Sequence, residues 1–264
     1  LSDYLARFGS TVSAIVVTSR LPGETSNVRG GLKMLWKSGW DYTRFKLLLN
    51  FTLPRRLRRQ GLPTRVTDLA ELLGHAPEIL YCGNVNEPGV LERVRSHRPE
   101  ILLSAGSTSI FGKEILEVPT VGAINLHSSL LPAYAGLATY FWCLLNDEPE
   151  SGCTLHQITP ALDGGPILDQ AAFPMAGIRS VLQVIRLMWK ANNDLLLRFF
   201  ERPPAALSGR AQDKGKRSYH TLPLKKDVRD LLAKGKSLYT PDDIEATVAE
   251  AEKLKASVTR AGAS

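Results

Sequence analysis

Asn125 and His127 stand two residues apart, ahead of Ser129-Leu130-Leu131-Pro132 and Gly136, and a carboxylate follows at Asp163 within Leu162-Asp163-Gly164-Gly165-Pro166. A side-chain amide is a good donor to a developing oxyanion, an imidazole gives and takes protons near neutral pH, and a carboxylate holds an imidazolium in its charged form. Together they suit a reaction in which an oxyanion is stabilised and a proton passes between two heteroatoms, with no covalent intermediate required. Taken singly, each has a structural reading as well: a core histidine, an Asp-Gly-Gly turn former, a strand-end amide bonded to local backbone.

Those side chains need elements to bring them together. If residues 124–127 close a strand, a spacing of two sends Asn125 and His127 out of the same face, and the Ser-Leu-Leu-Pro turn stops that strand. Short apolar runs at 14–18, 79–82, 101–104 and 121–127 read as buried strands, with a helical pattern at 88–96 and a short turn at 112–116 between them. Strands separated by helices predict an α/β fold with a Rossmann-like, doubly wound, mostly parallel sheet. In such sheets ligands gather beyond the carboxyl ends of the strands, where residues 104–111 and His127 both fall.

Downstream, residues 138–145 read as a helix, 152–159 and 167–173 as strands flanking the Asp163 turn, and 180–200 as a long helix. Pro203-Pro204 breaks it. Residues 1–202 are thus expected to form the main domain and 203–264 a small C-terminal extension, partly helical, in which Thr240-Pro241-Asp242-Asp243 starts a helix over 244–256.

The motif as a whole resembles the folate-dependent formyltransferase family: Asn125 with His127, Ser129 to Pro132, Gly136 and Asp163 follow that family's signature in order and spacing, and Ser104 to Gly112 resembles its folate-binding loop. The resemblance runs from about residue 14 to about residue 200. It implies the formyltransferase fold, with 10-formyltetrahydrofolate as formyl donor. Asn125, His127 and Asp163 would be catalytic. Backbone groups of Ser109, Ile110 and Phe111 would face the pterin, with Ile158, Thr159 and Leu162 as the opposite wall. Ser128 and Tyr134 would line the acceptor side, Ser129 would equally fix the turn, and His156 would be either a supporting group or core.

By the same resemblance the acceptor is a primary amine, first a small, phosphate-bearing molecule such as a nucleotide-linked amino sugar. Methionyl-tRNA, glycinamide ribonucleotide, hydrolysis of the formyl-folate and an inactive folate-binding or membrane-docking module are the alternatives. Family members open with a strand and a Gly-containing loop, whereas residues 1–8 read as a helix, so that strand is expected to be missing here.

A 264-residue chain that is 44% hydrophobic can bury one good core. No apolar run approaches a membrane span and no signal peptide is evident, so a cytoplasmic protein is expected. Cys82, Cys143 and Cys153 show no zinc-ligand spacing and read as reduced, structural thiols.

The charge is uneven: residues 29–65 hold ten basic side chains against Asp41 alone, a local +9, while the whole chain carries +7. The rest therefore sums to −2. Trp36, Trp40, Tyr42, Phe45 and Phe51 lie among the cations. Asp41 would cap a helix over 42–53 that Pro54 ends, and the segment reads either as an amphipathic helix with a solvated basic face or as a surface for an anionic membrane, a substrate phosphate or tRNA.

Overall fold

The computed structural model describes residues 7–18, 27–72, 74, 76–107 and 109–261. Its strands are β1 (Ala14–Thr18), β2 (Glu78–Cys82), β3 (Ile101–Ala105), β4 (Gly122–His127), β5 (Ala135–Gly136), β6 (Glu150–Gln157), β7 (Ile167–Pro174) and β8 (Tyr219–His220). The helices are α1 (Asn27–Leu47), α2 (Leu53–Arg59), α3 (Val66–Leu72), α4 (Pro88–Ser96), α5 (Lys113–Leu116), α6 (Thr139–Leu145), α7 (Val181–Glu201), α8 (Lys225–Ala233) and α9 (Pro241–Ala261).

β1 pairs with β2 and β3 with β4, both parallel, as the apolar runs of these strands predict for an α/β fold. β6 joins β4 antiparallel and β7 joins β6 antiparallel, giving the order β3-β4-β6-β7. β4 is therefore flanked on both sides, and its side chains are buried or half-buried along its whole length. A groove of about 810 Å³ is lined by residues of β1 and β3 together with Val90, Val94 and Phe111.

The principal core lies between β6 and the helices α6 and α7. In α7, Val181, Leu182, Val184, Ile185, Met188, Leu195 and Leu196 repeat at helical spacing and are all buried. Ser180 opens this helix with a capping box, accepting from the Gln183 N–H at 3.1 Å while Gln183 Oε1 accepts from the Ser180 N–H at 3.2 Å. Each fully buried Leu or Val of this row contributes about 1.5–3 kcal/mol of apolar burial. No helix among the described residues is long and apolar enough to cross a membrane.

One expectation changes. Pro54 does not end the helix of the basic segment: α1 runs on through a π-helical turn, Leu48–Thr52, into α2, where Pro54 occupies the first turn. The widened turn precedes the position where proline has no N–H to give, so the chain stays helical. A single kink interrupts α1, at Gly39 with φ 85°. Of the helix expected at the amino end, residues 1–6 lie outside the described residues. At the other end Thr240 caps α9 as expected, its Oγ1 accepting from the Asp243 N–H at 3.2 Å.

Candidate active site

Asn125 and His127 leave one face of β4, and the strand pairing sets a partner beside each: Asn125 lies opposite His156 of β6, and His127 opposite Thr154. Thr154 is fully buried and anchors the turn that follows β4. Its hydroxyl donates to the Ser129 carbonyl at 2.6 Å and accepts from the Leu131 N–H at 3.0 Å and from Gln170 Nε2 at 2.9 Å. The turn, which includes a cis Leu131–Pro132 peptide, is thus pinned to the neighbouring strand.

The turn in turn orients His127. Its Nε2 lies 2.9 Å from the Tyr134 carbonyl, which can only accept, so Nε2 carries the hydrogen and Nδ1 is the nitrogen left for proton transfer. That Nδ1 faces Asp163 Oδ1 at 3.6 Å, with both side chains about nine-tenths buried. The separation is wider than a hydrogen bond, so each group lies in the other's field without being bonded to it. Ser129, fully buried, donates its hydroxyl to the carbonyls of Ala133 and Tyr134, each at 3.0 Å, and so serves the turn.

His156 belongs to the cluster rather than to the general core. Its Nδ1 donates to the Gln157 carbonyl at 2.9 Å, leaving Nε2 unprotonated to accept from Asn125 Nδ2 at 3.1 Å. Burial lowers the His156 pKa and keeps the ring neutral, which this hydrogen bond requires. The contact fixes which end of the Asn125 amide is nitrogen and leaves its second N–H for another acceptor.

Asp163 sits on the turn between β6 and β7 with φ 47°, a conformation that Asp tolerates better than most residues. Its Oδ2 accepts from the Gly136 N–H at 2.9 Å, so Oδ1 is the oxygen turned to His127. Gly136 is required twice over: φ is 97°, and a Cβ there would lie 2.2 Å from the His220 carbonyl. This close approach lets β8 pair with β5 beneath the turn. A strap from the C-terminal extension then clasps the Asp163 loop: Gln212 Nε2 donates to the Asp163 carbonyl at 2.8 Å and to the Gly165 carbonyl at 2.7 Å, and Arg217 donates to the Leu162 carbonyl.

The other expected residues divide. Ser104 on β3 pairs in register with Asn125, so the loop that follows starts beside the amide. Within that loop the Ser109 N–H is taken by Ser107 Oγ at 3.1 Å and the Ile110 carbonyl by Asn86 Nδ2 at 2.8 Å, while Thr108 lies outside the described residues. Ile110 is exposed and Phe111 half-buried. On the other side the Ile158 N–H is bonded to the Ala123 carbonyl at 2.8 Å, Thr159 is half-buried and Leu162 exposed.

Ser128 is half-buried, its carbonyl accepting from the Thr139 hydroxyl. Tyr134 reaches His127 through its carbonyl only: the phenol donates to Glu148 and the ring stacks on His220 at 4.9 Å. Sequence reasoning missed Thr154 and Gln212. Thr154-x-His156 repeats across β6 the two-residue spacing of Asn125-x-His127 and was a usable signal; Gln212, 49 residues from Asp163, gave none.

Residues 52–198, more than half of the chain, match the family model described as formyl transferase. The methionyl-tRNA formyltransferase of Trichlorobacter lovleyi is 35% identical over 127 residues, covering 48% of this chain and 40% of that protein. That of Thermotoga maritima is 28% identical over 176 residues, covering 66% of this chain and 56% of its own. The chain therefore spans about half the length of these curated relatives. The solved structure of the formyltransferase PseJ from Anoxybacillus kamchatkensis, in complex with UDP-4,6-dideoxy-4-formamido-L-AltNAc and tetrahydrofolate, is 26% identical with a TM-score of 0.50, covering 65% of this chain and 87% of PseJ. The chain belongs to the formyl transferase family.

Proposed function

We propose that this protein transfers a formyl group from 10-formyltetrahydrofolate to a primary amine on a small, phosphate-bearing acceptor such as a nucleotide-linked amino sugar. The observation that carries the reading is a connected cluster: Asn125 Nδ2 lies 3.1 Å from His156 Nε2, which lies 3.9 Å from Asp163 Oδ1, and that oxygen lies 3.6 Å from His127 Nδ1. PseJ, whose complex holds a formamido sugar nucleotide and tetrahydrofolate, is matched over 87% of its length, whereas the two tRNA-formylating relatives are matched over 40% and 56% of theirs. Among its described residues, the extension from residue 203 carries the helices α8 and α9 and, of the strands, the two-residue β8.

The donor site would be formed by the segment after β3, with Ser109, Ile110 and Phe111, and by Ile158, Thr159 and Leu162 after β6. Exposed Ile110 and Leu162 offer apolar faces suited to a flat ring. Ser128 and the Tyr134 turn border the acceptor side. The donor supplies the formyl carbon. As the acceptor amine bonds to it, the second N–H of Asn125 stabilises the oxyanion, a contribution worth about 10²–10³ in rate for a donor of this kind. The amine proton passes to Asp163 Oδ1, and the Nδ1 proton of charged His127 returns one to the folate nitrogen as the carbon–nitrogen bond breaks. Carboxylate and imidazole then re-equilibrate across their gap, and no net proton is lost or gained.

Purified protein would be mixed with 10-formyltetrahydrofolate and, separately, nucleotide-linked amino sugars, unlinked amino sugars and methionyl-tRNA, reading tetrahydrofolate release and formylated product by mass. Release that requires a nucleotide-linked amine is expected. Release without any acceptor would make the protein a hydrolase, and product with methionyl-tRNA alone would replace the acceptor class.

A further inference from the structure

The helical stretch from α1 through α2 is amphipathic in an unusual sense. Its inner face is ordinary, with Tyr42, Phe45, Leu48, Leu53 and Leu57 buried. Along the same stretch Leu32, Leu35, Trp36, Trp40, Leu47 and Phe51 are all exposed, with Trp36 at 79%, Trp40 at 60% and Phe51 at 65%. Scattered single apolar residues on a surface need no explanation, but six large ones on one helical stretch do. After the Gly39 kink, Trp40, Leu47 and Phe51 recur at helical spacing and share a side with Arg44.

The exposed surface of this stretch is strongly basic. Arg44, Arg55, Arg58 and Arg59 are exposed and Lys37 is half-buried, and between residues 27 and 59 Asp41 is the only acid. Arg56 is held by Glu245 at 2.7 Å, and Arg44 lies over the Tyr239 ring at 5.9 Å, leaving its charge accessible. We infer that this face docks the protein on an anionic phospholipid surface, with the tryptophans, Phe51 and the leucines entering the headgroup boundary and the arginines meeting lipid phosphates.

Three features favour lipid over other occupants. Tryptophan is the side chain best suited to the membrane interface, and interfacial helices combine such aromatic and leucine residues with lysine and arginine. A second copy of this chain would set cation against cation. On a nucleic acid, Trp and Arg have partners, but exposed Leu32, Leu35 and Leu47 have neither a base to stack on nor a phosphate to bind. The inference goes beyond the proposed acceptor and stands or falls without it, since none of these residues belongs to the Asn125–His127–Asp163 cluster.

The test is co-sedimentation of the whole chain with phosphatidylglycerol–phosphatidylcholine vesicles, with phosphatidylcholine vesicles and with duplex RNA as separate arms. Partition onto the anionic vesicles is expected to exceed that onto neutral ones by at least about tenfold and to fall steeply between about 0.1 and 0.5 M salt. A Trp36→Ser, Trp40→Ser, Phe51→Ser variant should lose at least about tenfold in partition with its circular dichroism unchanged. Should that variant fail to fold, Arg55→Glu, Arg58→Glu, Arg59→Glu, which alters exposed side chains only, is expected to give the same loss. Absence of binding to anionic vesicles at low salt, unchanged partition of a folded variant, or binding to RNA alone would each overturn the inference.

Discussion

Replacing Thr154 by valine keeps the shape of a fully buried side chain and removes only its hydroxyl. Three partners lose it: the Ser129 carbonyl, the Leu131 N–H and Gln170 Nε2, at 2.6, 3.0 and 2.9 Å. Gln170 keeps a second acceptor, the Leu131 carbonyl at 3.0 Å, and so loses little. The two backbone groups are left without a partner in the interior, at about 1–3 kcal/mol each, and partial relaxation of the turn brings the total to about 2–4 kcal/mol. For a chain of this size that is a fall in melting temperature of roughly 4–15 °C. Urea unfolding followed by circular dichroism would measure it, with the slope m unchanged if only stability moves. Thr154→Ser, which keeps the hydroxyl, should cost about 1 kcal/mol for the lost methyl. Because the same turn carries the Tyr134 carbonyl that orients His127, turnover should fall with stability. A loss below about 0.5 kcal/mol for the valine variant would refute the view that Thr154 pins the turn.

Gln212→Ala removes the strap from the Asp163 and Gly165 carbonyls, and turnover is expected to drop about tenfold while global stability falls by about 1–2 kcal/mol; a rate unchanged would detach the strap from the site. Burial lowers the His156 pKa below its ordinary 6.5, so the unfolded chain binds that proton first and stability is lost as pH falls from 6.5 toward the folded value. In His156→Asn the pH dependence of urea midpoints should flatten in that window, and an unchanged slope would contradict the assignment. Burial pushes the thiols of Cys143 and Cys153 up to about 11 and about 12, so neither should react rapidly with an aromatic disulfide reagent at about pH 8 unless denaturant is added. Gly136→Ala should misplace Asp163 and abolish turnover, since its Cβ would meet the His220 carbonyl at 2.2 Å.

Much of the site could be read in advance because its parts are local. A strand period of two puts Asn125 and His127 on one face, and the strands, the α7 helix and the Asp163 turn carry their own periodicity and punctuation. What could not be read depends on pairing across the fold. His156 becomes a partner of Asn125 only through the β4–β6 register, and Thr154 becomes the anchor of the turn in the same way. Gln212 comes from a polar stretch with no periodicity of its own, and β8 meets β5 only through pairing between segments distant in sequence. Pro54 misled for a physical reason: a proline in a first helical turn and a proline after a last one look alike in sequence, and the π-helical turn that distinguishes them has no sequence mark.

The central claim is that Asn125, His127 and Asp163 carry formyl transfer. Its most direct test is single-turnover transfer from 10-formyltetrahydrofolate to the best acceptor of the panel, measured for the unaltered chain and for Asn125→Ala, His127→Ala and Asp163→Ala, with donor binding followed separately. Each variant is predicted to bind the donor within about threefold of the unaltered chain and to transfer at least about a hundredfold more slowly. Transfer within about threefold of the unaltered rate in any folded variant would contradict the account.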